Sequence, residues 1–202
     1  MKKVVVNKRL ISAEIEHILG KFELSIDTKR KLNAIAVQEK IRKHDFILKP
    51  GEVCDFFGVV QKGIVQIYHY KDKKMVSDFF GTEGYGFFDI ESFITGAPSQ
   101  AYIEALEATV YVKIDRKKFI ALCDENEEIN ALYQKILEFA LILGHDRLDS
   151  VLNDTAEDKY ENLERRIPGL ASRISAINVA SYIGVTQETL CRIKSRQEDF
   201  FF

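Results

Sequence analysis

A row of polar side chains near the C-terminus has the residue types and spacing of groups that contact nucleic-acid bases. In the helical pattern after Thr186, Leu190 and Ile193 are three residues apart and form an apolar face. The remaining side chains point outward, starting at the N-terminus of the helix, which is the part of a recognition helix that meets base edges in the major groove. These outward residues are Gln187, Glu188, Cys191, Arg192 and Ser195.

Two helices joined by a tight turn would position this row. Ala180 is small and lets two helices approach closely, and Gly184 has no Cβ, so it tolerates the left-handed conformation that ends a helix. Val185 then points inward, and Thr186 is a good N-cap for the second helix. The pattern therefore predicts a helix-turn-helix over residues 177–193. An αα-hairpin inside an ordinary helical domain is the alternative that spacing alone leaves open.

The local charge favours the helix-turn-helix. Residues 165–196 contain six basic residues and one acidic residue, a net charge of +5, whereas the whole chain has a net charge of −2. A basic face on a neutral or acidic protein is typical of phosphate binding. We therefore predict double-stranded DNA as a partner. The basic residues are Arg165, Arg166, Arg173, Arg192, Lys194 and Arg196.

Composition excludes several other classes of protein. With 46% hydrophobic and 30% charged residues, the chain can bury a core and is not disordered. No apolar run is long enough to cross a bilayer, and the first seven residues do not have the length of apolar sequence that a secretory signal needs. Cys54, Cys123 and Cys191 form no metal-ligand cluster and suggest reduced thiols in a cytoplasmic protein. The sequence offers no catalytic constellation, so we expect neither an enzyme nor a cofactor.

Helical and β-prone segments succeed one another along the chain. Apolar spacing predicts helices over residues 8–20 and 28–42. From residue 44 to about residue 115, short β-prone runs separated by turn residues favour a sandwich or barrel-like β domain. The pattern then becomes helical again, and Pro168-Gly169 interrupts it before the predicted helix-turn-helix.

A long helix from about residue 127 to residue 152 carries more apolar side chains than one buried face requires. Eleven of the fifteen positions from residue 129 to residue 143 are apolar. This excess predicts one contact face for the chain's own β domain and a second face for another copy of the chain, whereas a fully buried helix in a monomer is the alternative. Spacings of four and three predict a coiled-coil seam. Its residues are Ile129, Tyr133, Ile136, Ala140 and Leu143.

The order of these parts resembles the superfamily of bacterial transcription factors that contains the cyclic AMP receptor protein and the fumarate–nitrate regulator (Crp/Fnr). Residues 184–193 are close to the recognition segment of that family, G-x-[ST]-x-E-T-[VL]-x-R-[IL]. By position, Gln187, Glu188 and Arg192 match residues that read base edges, and Thr186 matches a hydroxyl that contacts phosphate. Arg192 can donate two hydrogen bonds to guanine, Glu188 can accept from cytosine, and Gln187 can bond adenine.

The resemblance covers roughly residues 28–197 and implies an α+β chain with three parts. These are an N-terminal β-roll sensor domain (a double-stranded β-helix, or jelly roll, of the cyclic-nucleotide-binding type) with N-terminal helices over residues 1–126, a dimerisation helix over residues 127–154 and a helix-turn-helix domain over residues 155–202. We expect the wing that often follows the recognition helix to be absent or truncated. The tail Phe200-Phe201-Phe202 is expected to pack on a neighbouring helix, with disorder or a contact with the partner subunit as alternatives.

Residues 84–101 lie where the family has its phosphate-binding cassette. Cyclic-nucleotide binders carry a Gly-Glu pair there for the ribose hydroxyl and an Arg-Ser or Arg-Ala pair for the cyclic phosphate. In this chain Asp89 stands at the Glu position and Ser99 at the Arg position, and residues 82–112 contain no basic side chain. A neutral hydroxyl cannot replace a guanidinium opposite a phosphate charge, so we expect no binding of cyclic AMP. The candidate effector pocket consists of Phe87, Asp89, Ser92, Ser99 and Gln100.

This form of the cassette resembles the subgroup common in Bacteroidetes-type bacteria, whose ligands are largely undefined. The amino-terminal cysteines that hold an iron–sulfur cluster in the oxygen-sensing branch are missing. Two functions follow from the sequence. The favoured one is a homodimeric, sequence-specific DNA-binding transcription regulator whose β-roll responds to a small-molecule effector of unknown identity. The alternative is a ligand-binding module of the cyclic-nucleotide type whose helical C-terminal part docks a protein partner instead of DNA.

Overall fold

The computed structural model of the protein describes residues 24–198. The helix predicted over residues 8–20 and the Phe200–Phe202 tail lie outside these residues. The described part of the chain contains helices at both ends and a set of β-strands between them, as the sequence predicted. In chain order the elements are α1 (Ile26–Ile35), β1 (Ala36–Ile41), β2 (Phe46–Leu48), β3 (Phe56–Lys62), β4 (Val65–Lys71), β5 (Lys74–Gly81), β6 (Gly86–Phe87), α2 (Ile90–Thr95), β7 (Tyr102–Ala105), β8 (Thr109–Asp115), α3 (Arg116–Glu125), α4 (Glu127–Asn153), α5 (Ala156–Arg166), α6 (Leu170–Arg173), α7 (Ala176–Ile183) and α8 (Gln187–Glu198).

The strands form two four-stranded sheets. One sheet has the order β1-β8-β3-β6 and the other has the order β2-β7-β4-β5. Strand β8 pairs antiparallel with both β1 and β3, so that Ile114 lies opposite Ala36 on one side and Phe57 on the other. Apart from the β4–β5 hairpin, neighbouring strands in these orders are distant in sequence, which is typical of jelly rolls. The predicted α+β class with a jelly-roll domain is confirmed.

The helix predicted over residues 28–42 is wrong in its second half. Helix α1 ends at Ile35, and the chain continues directly into β1. Residues 36–41 pair with β8 from Ala36–Ile114 to Ile41–Thr109. The apolar residues Leu32, Ile35 and Ala36 suggested an unbroken helix, but pairing with a neighbouring strand overrides such a local preference.

The chain divides into two compact units, which we call the first and the second unit. The described part of the first unit runs from residue 24 to Ile67 and from Phe80 to Ile142, and the second unit comprises Tyr68–Phe79 and the residues from Leu143 onward. This division falls within α4, whereas the sequence suggested limits at residues 126 and 154. Those limits follow the expected roles of the segments, and they stay a prediction.

The first half of α4 completes the core of the first unit. Ile129, Leu132 and Ile136 are buried in one cluster with residues of α1, β3, β8 and α3. The second half of the helix has a different environment, since its large apolar residues are exposed to solvent. These exposed residues are Leu141, Ile142, Leu148, Val151 and Leu152.

Two short connections organise the second unit. The turn between β4 and β5 has positive φ angles of 51° at Asp72 and 62° at Lys73, which a two-residue hairpin of type I′ requires. Only two residues separate α4 from α5, and Thr155 caps α5 in a capping box with Asp158. Helix α5 ends at Arg166, immediately before the predicted break at Pro168-Gly169.

Glu128, in the first turn of α4, anchors the start of α1. Its carboxylate accepts hydrogen bonds from the Ser25 amide at 2.6 Å, from the Ser25 hydroxyl at 2.6 Å and from the Thr28 hydroxyl. These donors lower the pKa of Glu128 because they favour its charged form, and the largest part of this shift comes from the Ser25 hydroxyl.

We predict that Glu128→Gln destabilises the first unit at neutral pH and that this difference from the wild type shrinks in acid. A carboxyl whose pKa is lowered by folding contributes stability above its unfolded pKa, about 4.3 for Glu, and that contribution is lost as the pH falls through the folded pKa. Urea unfolding of both proteins at several pH values from 7 to below 4 measures the effect. Glu127→Gln, the adjacent exposed carboxylate, is the control, and a pH-independent difference for Glu128→Gln would contradict the prediction.

Candidate functional site

Helices α7 and α8 are joined by a short turn that begins at Gly184. Gly184 adopts the predicted left-handed conformation, with a φ of 79°. The amides of Gly184 and Val185 both donate to the carbonyl of Ala180, at 2.9 and 3.0 Å, and thereby satisfy the end of α7. Ala180 is buried, in agreement with its predicted place at a close helix contact.

Thr186 starts α8 as the sequence predicted. Its hydroxyl oxygen accepts a hydrogen bond from the Thr189 amide at 3.2 Å, which satisfies one of the free donors at the helix N-terminus. Leu190 and Ile193 are buried and hold the apolar face of α8 against the rest of the unit. The opposite face is exposed; we call it the α8 outer face. It consists of Thr186, Gln187, Glu188, Cys191, Arg192, Ser195 and Arg196.

The predicted DNA-contacting cations have different surroundings. The Arg192 guanidinium is exposed and donates to the Thr189 hydroxyl at 3.4 Å. Arg196 lies 3.3 Å from the carboxylate of Glu157, and both side chains are largely exposed. Arg173, at the end of α6, is also exposed.

Lys194 is less exposed than these residues, and its ammonium group contacts other helices of the second unit. The side chain is half-buried, donates to the carbonyl of Ala171 at 3.4 Å and lies 5.8 Å from the centre of the Tyr160 ring. The structure therefore brings Thr186, Gln187, Glu188, Arg192 and Arg196 together on one face and places Lys194 beside that face.

Among the candidate effector residues, Phe87 belongs to the core of the β-roll. Its ring is almost fully buried and makes edge contacts with the rings of Phe56 and Tyr111. The ring lies directly over Gly58, where an added Cβ would be 2.3 Å from the nearest ring atom. Gly58 is therefore required by the close approach of Phe87.

Asp89 and Ser92 stabilise the short helix α2. The Asp89 carboxylate caps the helix by accepting from the Ser92 amide at 3.5 Å. The buried Ser92 hydroxyl accepts from the Cys54 amide at 2.9 Å and donates to the Ala97 carbonyl at 2.6 Å. Both side chains thus use their hydrogen-bonding groups on the protein's own backbone.

Ser99 is only 2% exposed and is bonded locally in the same way. Its hydroxyl accepts from the Ala101 amide at 2.9 Å and donates to the Ala101 carbonyl at 3.3 Å. Its backbone pairs with Gly51 and Glu52, and the next residue, Gln100, is exposed. The five candidate effector residues therefore lie in the cassette region, but four of them are engaged in core packing or local hydrogen bonds.

Sequence reasoning missed Arg116 as a residue of this region. The guanidinium donates to the carbonyls of Phe93 and Ile94, the second at 3.1 Å, and its central carbon lies 5.6 Å from the centre of the Phe93 ring. Arg116 therefore satisfies free carbonyls near the end of α2. It lies at the start of α3, beyond the cassette, and its position in the sequence gave no signal of this contact.

The five predicted seam residues of α4 do not share one environment. Ile129 and Ile136 are buried in the core of the first unit, and the Tyr133 ring makes an edge contact with Phe119 at 5.6 Å. Ala140 and Leu143 are half-buried.

A membrane-spanning helix is not found within residues 24–198. The same residues contain no group of three or more His, Cys, Asp or Glu side chains placed to hold a metal ion.

Residues 38–126 match the family model of the cyclic nucleotide-binding domain. No curated protein matches the sequence. Among solved structures, FixK2 from Bradyrhizobium japonicum is similar with a TM-score of 0.71 and 20% identity, over 82% of this chain and 85% of that chain. CooA from Carboxydothermus hydrogenoformans, a mutant form, has a TM-score of 0.66 and 17% identity, over 96% of this chain and 88% of that chain.

The c-di-GMP-responsive global regulator CLP, which links cell–cell signalling to virulence gene expression in Xanthomonas campestris, is also similar. It has a TM-score of 0.68 and 14% identity, over 87% of this chain and 93% of that chain. Residues 38–126 therefore resemble a cyclic nucleotide-binding domain, and the chain has the fold of these solved structures. At these identities the structural similarity concerns the fold alone.

Proposed function

We propose that the protein is a homodimeric, sequence-specific DNA-binding regulator of transcription of the Crp/Fnr type. The α8 outer face is the observation that carries this proposal. Seven polar or cysteine residues are exposed on one side of a helix whose other side is buried through Leu190 and Ile193. In helix-turn-helix proteins, the N-terminal residues of such a helix contact base edges in the major groove.

The residues of this face divide into base-reading and phosphate-binding groups. Arg192 donates to guanine, Glu188 accepts from cytosine and Gln187 bonds adenine. The Thr186 hydroxyl, at the helix N-terminus, and the exposed guanidinium groups of Arg173 and Arg196 contact phosphates. Phosphate contacts fix the orientation of the helix on DNA, whereas the three base-reading residues determine which sequence is bound.

Lys194 has a positioning role in this proposal. Because its ammonium group contacts the Ala171 carbonyl and the Tyr160 ring, it stabilises the packing of α8 on α5 and α6. It also adds positive charge near the DNA. Because these contacts hold the ammonium group against the protein, we do not propose that Lys194 reads a base.

The second half of α4 is the dimer interface in this proposal. Leu141, Leu148 and Leu152 are 74%, 57% and 71% exposed, and they recur at spacings of seven and four on the same helix. Exposed leucines at such spacings form the seam of a two-helix coiled coil. Of the seam expected from the sequence, Ala140 lies next to Leu141, whereas Ile129, Tyr133 and Ile136 pack in the first unit and Leu143 lies about half a turn away from the exposed leucines. A two-fold axis through this helix repeats the same patch on both chains.

The domain limits follow from these roles. Residues 1–126 form the sensor domain, residues 127–154 the dimerisation helix and residues 155–202 the DNA-binding domain. We propose that the sensor domain does not bind cyclic AMP. The Ser99 hydroxyl is buried and locally bonded, so the cassette has neither a cation nor a free donor at the place of the cyclic phosphate.

For DNA binding, we predict that Arg192→Ala costs about 1–3 kcal/mol of binding free energy at one base pair of each half-site and relaxes specificity there. Arg173→Ala should instead weaken binding to all sequences alike, because it removes a phosphate contact. Selection of bound fragments from random DNA, followed by fluorescence anisotropy at several salt concentrations, measures both effects. Equal affinity for selected and random DNA at every salt concentration would overturn the proposal.

For assembly, we predict that Leu148→Lys produces a folded monomer that has lost specific DNA binding. Burying a leucine is worth about 1.5–3 kcal/mol, and the two-fold interface contains the contact twice, so the dimer should weaken by about two to four orders of magnitude. Light scattering coupled to chromatography gives the mass, and circular dichroism checks the fold. Gln134→Lys, at an exposed polar position of the same helix, is the control. A Leu148→Lys dimer as stable as the wild type would move the interface elsewhere.

For the effector, we predict that calorimetry with cyclic AMP and cyclic GMP shows no binding in the micromolar range. The cyclic phosphate of either ligand would lie next to Ser99, and this neutral hydroxyl cannot pair with its charge. A cyclic-AMP-binding relative measured under the same conditions is the positive control. Micromolar binding would show that Asp89 and Ser99 do not stand at the ligand positions, while leaving the DNA-binding proposal intact.

A further inference from the structure

A cavity lies within the second unit, between the C-terminal half of α4, α5 and α7. Its volume is about 350 Å³, which is within the range of pockets that hold small molecules, about 300–1,000 Å³. Its walls are mostly polar and charged. The residues that matter for its chemistry are Arg147, Lys159, Arg166, Tyr182, Asp149 and Asp154.

Two arginines of this cavity lie against the same aromatic ring. The central carbon of the Arg147 guanidinium is 4.0 Å from the centre of the Tyr182 ring, and that of Arg166 is 5.5 Å from it. Arg147 also donates to the Tyr182 carbonyl. Stacking on a ring fixes the plane of a guanidinium and leaves N–H groups at its edge for another acceptor.

Neither Arg147 nor Lys159 has a carboxylate partner within ion-pair distance among residues 24–198. The Lys159 ammonium donates to the Val151 carbonyl at 3.3 Å. A lysine has three donors and an arginine five, so most of the donors of these two side chains are available to a ligand.

Two aspartates of the cavity accept hydrogen bonds from asparagine side chains, and neither forms an ion pair with Arg147 or Lys159. Asp149 accepts from the Asn153 side chain at 2.7 Å, and Asp154 accepts from the Asn162 side chain at 3.0 Å. A third aspartate of the wall, Asp146, is exposed. Three carboxylates around the same space disfavour a polyanion, so the cations suit a ligand with a single anionic group.

We propose that this cavity binds a small metabolite through one phosphate or carboxylate group, held by Arg147 and Lys159. Phosphate and carboxylate share the oxygen geometry that a guanidinium binds with two parallel hydrogen bonds. The aspartates then accept hydrogen bonds from hydroxyl or amino groups elsewhere on the same molecule. This site is separate from the cassette of the β-roll, since all its residues belong to the second unit.

The position of the cavity gives the ligand a regulatory role that rests on the proposed function. Tyr182 belongs to α7, which the turn at Gly184 joins to α8, and Arg147 belongs to α4. A ligand that contacts both helices favours one arrangement of α7 relative to the C-terminal half of α4. Affinity for DNA should therefore change when the cavity is filled.

The test is a titration of the full chain, without DNA, with inorganic phosphate in one arm and acetate, which has a single carboxylate, in the other. Ionic strength is held constant with sodium chloride. Calorimetry and the amide NMR shifts of residues 143–182 report binding. We expect saturable millimolar binding in one arm, which identifies the anionic group, with shifts centred on Arg147 and Tyr182.

Matched variants assign the binding to the cavity. Arg147→Gln and Lys159→Gln should each weaken it by about tenfold to a hundredfold, the effect of losing a charge-assisted hydrogen bond. Arg42→Gln should not, because Arg42 is exposed and belongs to the first unit. Circular dichroism checks that each variant is folded.

Two outcomes would overturn the proposal. One is the absence of saturable binding in both arms, and the other is binding that is unchanged in folded Arg147→Gln and Lys159→Gln proteins. The effect on DNA is a separate measurement, made by repeating the anisotropy titration with and without the bound anion. If DNA binding fails while anion binding persists, the proposed function is wrong and the anion site remains.

Discussion

The burial of Ile129, Leu132 and Ile136 determines which side of α4 faces the core of the first unit. These three side chains attach one stripe of the helix to the core of the first unit, and an α-helix is rigid enough to carry that orientation along its length. At about 3.6 residues per turn, Leu141, Leu148 and Leu152 lie on the side of the helix opposite to this stripe, which is why the core does not cover them.

The parts of the fold that could be predicted from sequence are those that local chemistry determines. Gly184 ends α7 because it can adopt a left-handed conformation, and Thr186 begins α8 because its hydroxyl can accept a backbone hydrogen bond. Both signals lie within a few residues of their effect. The same holds for the break at Pro168-Gly169, which follows the end of α5.

Features that depend on distant contacts were not predictable in the same way. Residues 36–41 have apolar spacing compatible with a helix, and only the presence of β8 makes them a strand. In α4 the excess of apolar residues predicted two contact faces, and one set of these residues is buried while another is exposed. Apolar residues occur on nearly every side of the helix. The sequence therefore could not show which of them the β-roll covers. Asp89, Ser92 and Ser99 were predicted to line an effector pocket, and their short side chains bond to backbone groups of the protein.

The connection between α4 and α5 has a mechanical consequence. Only Asp154 and Thr155 separate the two helices; the Thr155 side chain is held by Asp158, and the Asp154 carboxylate by Asn162. The side chains of Asp154 and Thr155 are thus both bonded to the first two turns of α5. These bonds restrict the movement of the connection relative to α5. The two helices are also bonded to each other, since the Lys159 ammonium of α5 donates to the Val151 carbonyl of α4 at 3.3 Å. A rotation at the end of α4 would therefore be passed to α5. The connection between α4 and α5 therefore resists twisting, which a flexible linker without such hydrogen bonds would not.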